Sequence, residues 1–333
     1  MHKDIIFLEG VKQSTRQNIL KFVKNWNSKF ETISVTTSGS TGKPKLIELS
    51  KSQMKASALA TISFFNLSSD QTILLALSID YIAGKMMLIR ALEKNMTIIV
   101  APLQSNPLLL NLTHKIHFSA FVPMQVQTIL NNKISKKNYE LIDTVIIGGG
   151  VINETLENQL SSLNNHNYAT FGMTETISHI GLRNISKQEK HYTALPNITF
   201  KVNATNCLVI NAPLINSTIN LQTTDVVELL NSKQFIWKGR ADFVINSGGI
   251  KLHPEFLEKK IEHILPDNRF YFIGVKDDVL GEKLVLNIES QSPLDSKNIM
   301  LLLKKILDKF EQPKLIVIIA KFTETKTGKV KRV

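Results

Sequence analysis

The spacing of hydrophobic and polar positions falls into three regimes along the chain. From Ile33 to about Gly172, short apolar runs alternate with longer stretches of helical period. Residues 72–77, 97–100, 118–122 and 143–147 are apolar runs of strand length, the pattern of buried strands. Short β patterns also lie at 33–35 and 46–48. Helical spacing covers 51–65, 84–94, 107–114, 124–131 and 154–163. Ser50, with Gln53 three residues on, predicts a capping box at the first of these helices. Strand–helix alternation predicts a layered α/β body with parallel strands.

From about His191 to Lys238 the period shortens. Residues 198–202, 208–211, 225–230 and 234–237 are short β patterns between polar turns, predicting a small β-rich subdomain. After Gly239-Arg240 the pattern is α+β. A helix opens near Pro254, followed by a strand at 271–275, a turn at Lys276-Asp277-Asp278 and a strand at 284–288. A helix at 296–310, a strand at 315–320 and a basic loop at 325–332 follow. The expected division is residues 1–240, with the β-rich part at about 191–240, and a smaller C-terminal domain at 241–333. A length of 333 residues suits such a two-part chain.

Composition narrows the function. With 43% hydrophobic and 20% charged residues, a buried core is expected and global disorder is not. The net charge of +12 favours anionic partners, although general lysine richness accounts for it equally well. The lysines are scattered, and no aromatic-studded basic strand, zinc-finger spacing or DNA-reading helix stands out, so nucleic acid is not an expected partner. Cys207 is the only cysteine, which rules out a disulfide within one chain and suits a reducing compartment. No apolar run reaches the ~20 residues that cross a bilayer. A cytoplasmic protein away from membranes is expected.

Six segments carry candidate chemistry. Thr36-Thr37-Ser38-Gly39-Ser40-Thr41-Gly42-Lys43-Pro44-Lys45 lies between two β patterns. Its glycines permit close backbone approach, and its hydroxyls and lysines can wrap a polyphosphate. It is not a Walker A loop, because Pro44 follows Lys43 where Ser or Thr is required. Alone, it reads as well as a polar hairpin loop. The others are Phe171-Gly172-Met173-Thr174-Glu175-Thr176, Thr223-Thr224-Asp225, the run from Gly239-Arg240 through Asp242 and Ser247-Gly248-Gly249 to Glu258, Lys326-Thr327-Gly328-Lys329, and Ile146-Ile147-Gly148-Gly149-Gly150.

Taken in chain order, the segments resemble the signature motifs of the adenylate-forming superfamily of acyl- and aryl-CoA ligases, adenylation domains and luciferases. The resemblance runs from about Thr36 to Arg332. It implies ATP, Mg²⁺ and coenzyme A as ligands, and an N-terminally shortened version of that fold. Thr37, Ser38, Gly39, Ser40, Thr41, Gly42, Lys43 and Lys45 would hold the phosphates. Phe171, Gly172 and Met173 would face adenine, Thr174 the α-phosphate, and Glu175 the metal. Asp225 and Arg240 would bind ribose, although Thr224 stands where the family has glycine. Asp242 would be the hinge of a mobile C-terminal domain, and Ser247, Gly248 and Gly249 would border the pantetheine tunnel. Lys329 would be the catalytic lysine.

Thr174-Glu175-Thr176-Ile177-Ser178-His179-Ile180 resembles the corresponding segment of o-succinylbenzoate–CoA ligases of menaquinone biosynthesis. That resemblance implies a dianionic aromatic keto-acid. Tyr81, Gly148, Gly149, Gly150, Ser178 and His179 are candidates for the acyl pocket. Arg90, Lys85, Ser178 and His179 are candidates for the second carboxylate, with a packed structural role equally open for His179. Another aryl or short-acyl ligase, a carrier-protein-loading enzyme and a non-catalytic nucleotide-binding protein are the alternatives. The body must lack the subdomain that relatives place before the phosphate loop. Its face would be covered by the first thirty residues, by a partner such as a second copy in a homodimer, or by nothing.

Overall fold

The computed structural model describes residues 5–36, 46–110, 112, 114–216, 220–324 and 330–332. The body begins with β1 (Ile5–Phe7), α1 (Gln13–Trp26), β2 (Thr32–Thr36), β3 (Leu46–Ser50), α2 (Lys51–Phe65), β4 (Thr72–Leu75) and α3 (Ile82–Lys94). It continues with β5 (Thr97–Val100), β6 (Ile116–Phe121), α4 (Pro123–Leu130), α5 (Lys133–Glu140), β7 (Ile142–Ile147), α6 (Glu154–Ser161) and β8 (His166–Gly172). Then come β9 (His179–Asn184), β10 (Tyr192–Ala194), β11 (Thr199–Val202), β12 (Cys207–Asn211), β13 (Leu221–Asn231) and β14 (Gln234–Arg240). The C-terminal unit holds β15 (Ile245–Ser247), β16 (Ile250–Leu252), α7 (Pro254–Ile261), β17 (Phe270–Asp277), β18 (Gly281–Glu289), α8 (Ser296–Ile306) and β19 (Leu315–Ile319).

One 12-stranded sheet runs β1-β5-β4-β6-β7-β8-β9-β10-β14-β13-β12-β11. Its strands are parallel up to β8 and antiparallel from β9 onward. The expected β-rich subdomain is therefore an extension of the body sheet. The link from β8 to β9 is too short for a crossover helix, so β9 must run back beside β8. Ile73 and Leu75 enter one core and Leu74 the other. A strand covered on both faces needs apolar residues at every position, which is why such runs show no alternation.

The first core lies under α1, α2 and α3, with Ile19, Met54, Met87 and Phe118 buried in it. The second lies under α4, α5 and α6, with Val126, Tyr139 and Leu160. A third, with Ile245, Leu257, Leu286 and Leu303, belongs to a separate sheet of β15–β19. A 3₁₀ turn at Ala241–Phe243 joins the two sheets. Among the described residues, no helix is long and apolar enough to cross a membrane.

Several local expectations are corrected. Residues 107–114 contain no helix among those described. The Asn138 amide donates to Leu108 O and Leu110 O, capturing carbonyls that a helix would use itself. Ser50 does sit at the N-cap of α2, but without a side-chain cap; its hydroxyl pairs with Ser52. The last helix ends at Ile306. Two helices had not been expected. α1 buries Ile19, Phe22 and Trp26 as a sparse stripe, and α5 buries Ser135, Asn138 and Tyr139, a mostly polar face without apolar period. The first thirty residues do cover part of the body: β1 pairs with β5, and α1 packs into the first core.

Candidate active site

The parallel strands end on one edge of the sheet, where Ser78 follows β4, Gly148 follows β7 and Gly172 closes β8. Strand order reverses at β4, which lies between β5 and β6, and such a switch opens a crevice at the carboxyl ends of parallel strands. The hairpin of β2 and β3 pairs Thr36 with Leu46, the described residues on either side of the segment expected to hold phosphates. Thr37, Ser38, Gly39, Ser40, Thr41, Gly42, Lys43 and Lys45 themselves lie outside the described residues.

The turn after β8 is built by Thr176. Its hydroxyl accepts from Met173 N at 2.9 Å and lies 2.9 Å from Ser178 O. Thr174–Thr176 thereby form a 3₁₀ turn that leaves Glu175 exposed, while the Asn216 amide donates to Glu175 O at 2.6 Å. A Cβ on Gly172 would stand 2.5 Å from Ser178 O, so only glycine allows the two strands this approach. Ile177 absorbs the turn at φ 64°, left-handed backbone that a β-branched residue seldom adopts. Phe171 rests its ring against Tyr192 and Phe235 at 5.6 and 5.0 Å between centroids.

Asp225 and Arg240 are cross-strand partners on β13 and β14. Trp237 donates its indole N–H to Asp225 Oδ1 at 2.9 Å, a contact that the sequence reading missed. Burial pushes the Asp225 carboxyl up, opposed by the Trp237 hydrogen bond and the Arg240 charge, and Asp242 adds to the rise. Arg240 Nη2 lies 2.7 Å from Asp242 Oδ2, and Thr224 donates to the same oxygen at 3.2 Å. Thr224 and Arg240 thus share one carboxylate oxygen of Asp242.

Arg90, on α3, is 1% exposed and donates from Nη2 to Ser178 Oγ at 2.9 Å. Its Nε has no partner, and no carboxylate pairs with it among the described residues. Burial lowers its pKa to about 9, which still leaves a cation at neutral pH. His179 is buried beside it, with Nε2 3.1 Å from Thr61 Oγ1 and Nδ1 3.4 Å from Ser178 Oγ. Burial first, then the Arg90 charge, hold this imidazole well below its usual pKa, so it is neutral. Thr61, on α2, carries no motif that could have flagged it. Lys85 does not join the group; its ammonium donates to Ile79 O and Asp80 O at 2.6 and 3.3 Å. Tyr81 is exposed at the start of α3. Gly148 N donates to Phe121 O, and a Cβ on Gly148 would fall 2.1 Å from Thr170 Oγ1. Gly149 has φ 80°, and Gly150 lies against Pro123.

In the C-terminal unit, Ser247 pairs with Ile250 across a hairpin whose tip residues, Gly248 and Gly249, have φ 59° and 82°. A side chain at Gly249 would meet nothing within 4 Å, so the requirement there is backbone conformation. The unit touches the body through α7 and the turn after it. Lys259 Nζ is 3.6 Å from Glu157, and Glu262 accepts from Glu154 N at 2.7 Å. Lys329 lies outside the described residues. Among the described residues nearby, Glu324 forms a β-bridge with Val330, and Lys331 N donates to Thr323 O at 2.8 Å.

Comparison with known proteins places this geometry. The family described as AMP-binding enzyme matches residues 24–214. A crystal structure of an acyl-CoA synthetase (AMP-forming)/AMP-acid ligase II-like protein from Dyadobacter fermentans is similar at 32% identity and a TM-score of 0.67, covering 98% of this chain and 94% of that one. O-succinylbenzoate coenzyme A synthetase from Bacillus subtilis, solved with its acyl-adenylate intermediate, shares the fold at a TM-score of 0.76 and 18% identity, covering 89% of this chain and 67% of that one. Among curated sequences, the 2-succinylbenzoate–CoA ligase of Listeria monocytogenes is 23% identical over 94% of this chain and 71% of its own length. That of Salmonella typhimurium is 26% identical over 83% and 62%. The chain thus spans about two thirds of these curated relatives.

Proposed function

The chain belongs to the family of AMP-binding enzymes, and from that premise we propose that it is an AMP-forming carboxylate–CoA ligase acting on o-succinylbenzoate. The carboxylate of the substrate attacks the α-phosphorus of ATP, the bond to the β-phosphate breaks, and pyrophosphate leaves. The thiol of coenzyme A then attacks the acyl carbonyl, and AMP leaves. Asp225 and Arg240 hold the ribose, Thr174 the α-phosphate, and residues 37–45 the departing phosphates. Lys329 places positive charge where the new phosphate–carboxylate bond forms. Rotation about Asp242 withdraws Lys329 and brings the Ser247-Gly248-Gly249 hairpin to the thiol channel.

The donor set fits Mg²⁺. Glu175 offers one exposed carboxylate, and among the described residues no cluster of three or more acidic, His or Cys groups competes to hold a metal. Mg²⁺ typically takes one or two carboxylates beside phosphate oxygens and waters. When bound there it would neutralise charge on the departing phosphates.

Arg90 carries the choice of substrate. A buried guanidinium with an unpartnered Nε and no carboxylate among the described residues is costly unless an anion joins it. The second carboxylate of o-succinylbenzoate supplies that anion, beside Ser178 Oγ. Neutral His179 and Thr61 orient Ser178 rather than contribute charge. The names of the Listeria and Salmonella relatives support the same substrate. The lone, buried Cys207 supports a reducing, cytoplasmic setting.

The test is AMP release from MgATP and coenzyme A with o-succinylbenzoate, beside a panel of other carboxylic acids. Turnover with o-succinylbenzoate well above the rest is expected. Turnover only with a monoacid keeps the ligase chemistry and discards the substrate.

A further inference from the structure

The pairing of β13 with β14 changes step beside Asp225. Leu229 pairs with Phe235 and Val227 with Trp237, but Val226 then pairs with Gly239 and Asp225 with Arg240. Lys238 is the extra residue, a bulge on β14. Gly239 accommodates it at φ 145°, where a Cβ would fall 2.7 Å from Glu255 Oε2. Side chains alternate along a strand, so a regular β14 would turn Arg240 to the opposite face from Trp237. The bulge instead gives both residues the face that carries Asp225, Val227 and Leu229. Val227 and Phe235 are buried in the first core, with Leu229 and Trp237 packed against it. Phe171, the residue expected to meet adenine, rests on Phe235 at 5.0 Å between centroids. One face of this strand pair therefore runs from the expected adenine contact to the expected ribose contact.

Asp225 is held through both its backbone and its side chain. Its N–H donates to Thr223 Oγ1 at 3.1 Å, and the Thr223 hydroxyl donates to Leu208 O at 2.9 Å. Its Oδ1 accepts from Trp237 Nε1 at 2.9 Å, whereas Oδ2 takes no hydrogen bond among the described residues. Arg240, its cross-strand neighbour, gives its ion pair to Asp242 instead. An indole nitrogen is a donor only, and this one is fixed by the packing of its ring. It therefore selects which carboxylate oxygen is engaged and leaves the other with its full accepting capacity.

We propose that Trp237 is a positioning residue for nucleotide binding: it fixes the Asp225 carboxylate through Oδ1 and leaves Oδ2 to the sugar, so that one ribose hydroxyl is recognised much more strongly than the other. The proposal rests on the assignment of Asp225 to the ribose under the proposed function. A hydroxyl that reaches Oδ2 finds an unshared anionic acceptor, and one that reaches Oδ1 shares an oxygen already bonded to the indole. No motif marks Trp237, because its role comes from the bulge and from an aspartate twelve positions earlier.

Calorimetric affinities of AMP, 2′-deoxy-AMP and 3′-deoxy-AMP, on the wild type and on Trp237→Phe, test it at about pH 8, where carboxylates are ionised. In the wild type one deoxy analogue should bind about 10- to 100-fold more weakly than the other, the worth of a hydrogen bond to a charged group. In Trp237→Phe the two analogues should come within a few-fold of each other, because either oxygen can then serve. KM for ATP in that variant should rise about fivefold, the net worth of one neutral hydrogen bond, with kcat close to wild type, since the ribose is held alike in ground and transition states. Thermal melts accompany both proteins, and Trp237→Met, which also lacks the donor, replaces Trp237→Phe if that variant does not fold. Equal losses for the two analogues in the wild type would overturn this inference and keep Asp225 at the ribose. A wild-type difference that persists unchanged without the indole would overturn the role of Trp237 alone. Analogues that both bind as AMP does would remove Asp225 from the ribose, and with it this inference. A wild-type chain that binds no AMP would overturn the proposed function as well.

Discussion

Asp225 and Arg240 face one another across two antiparallel strands, and the indole of Trp237 donates to Asp225 at 2.9 Å. The arrangement places the proposed ribose acceptor on a rigid sheet next to the linker between the two units. Arg240 donates to Asp242 at 2.7 Å, so the residues proposed for the ribose and for the hinge lie side by side on and just after one strand pair.

The surroundings of Asp225 set a pH dependence. Burial raises the Asp225 carboxyl above the ordinary aspartate value of 3.8. A raised value means that protonation begins at a higher pH, and the protonated acid accepts hydrogen bonds poorly. Nucleotide affinity should therefore fall on acidification sooner than an ordinary aspartate would dictate. Trp237 opposes the rise, so Trp237→Phe should move the midpoint further up. Calorimetric titration of AMP into both proteins, between about pH 4 and 7, compares the midpoints. A downward move in Trp237→Phe would contradict the assignment.

Arg90→Met should raise KM for o-succinylbenzoate by about 10- to 100-fold, the range expected for a lost charged hydrogen bond. An aromatic monoacid should be far less affected. Removing a buried charge without a counter-ion should leave the melting temperature of the free protein unchanged or higher. Equal penalties on the two acids would mean that Arg90 serves packing alone.

Arg183 and Glu157 form a buried two-pronged pair at 2.7 and 2.9 Å. Glu157→Leu strands the guanidinium, at a cost of roughly 3–5 kcal/mol. Glu157→Leu with Arg183→Met should recover much of that stability. Burial alone would raise Glu157, but Arg183, with Lys259 and Lys190, holds it below its ordinary value of 4.5. A lowered carboxylate stabilises the fold above its unfolded pKa, and that contribution is lost as pH falls through the folded value. Chemical denaturation at neutral and acid pH reads both effects. A single variant as stable as wild type at neutral pH would contradict the account.

Gly172→Ala should disable the site without removing any functional side chain. The added methyl would meet Ser178 O at 2.5 Å and His179 Cα at 2.6 Å, both backbone, so the β8–β9 turn has to open. A cost of about 1–3 kcal/mol is expected from overpacking. Loss of adenylate formation should accompany it, because Thr174, Glu175 and Ser178 move with the turn. An active variant of wild-type stability would show that the turn relaxes freely.

The sequence by itself determined the order of the motif segments, most strand positions of the parallel half and the helices with a clear apolar stripe. Those features are local: periodicity and turn chemistry act over a few residues, so they are legible one segment at a time. It could not show α5, whose buried face is polar, or that the described residues of 107–114 form no helix, which depends on the distant Asn138. Nor could it show that the β-rich stretch continues the body sheet, because strand pairing is decided by neighbours far along the chain.

The candidate site divides the same way. Asp225, Arg240, Thr174 and Glu175 stand in recognisable strings. Thr61 beside His179 and Trp237 beside Asp225 are ordinary residues that acquire a role only by meeting a partner, in the first case 118 positions away. Tertiary structure also separated Lys85, held by backbone carbonyls, from Arg90, left inside without a carboxylate among the described residues. Both are cations on one helix, and the sequence treats them alike. Only burial distinguishes them, because desolvation depends on everything packed around a group rather than on the group itself.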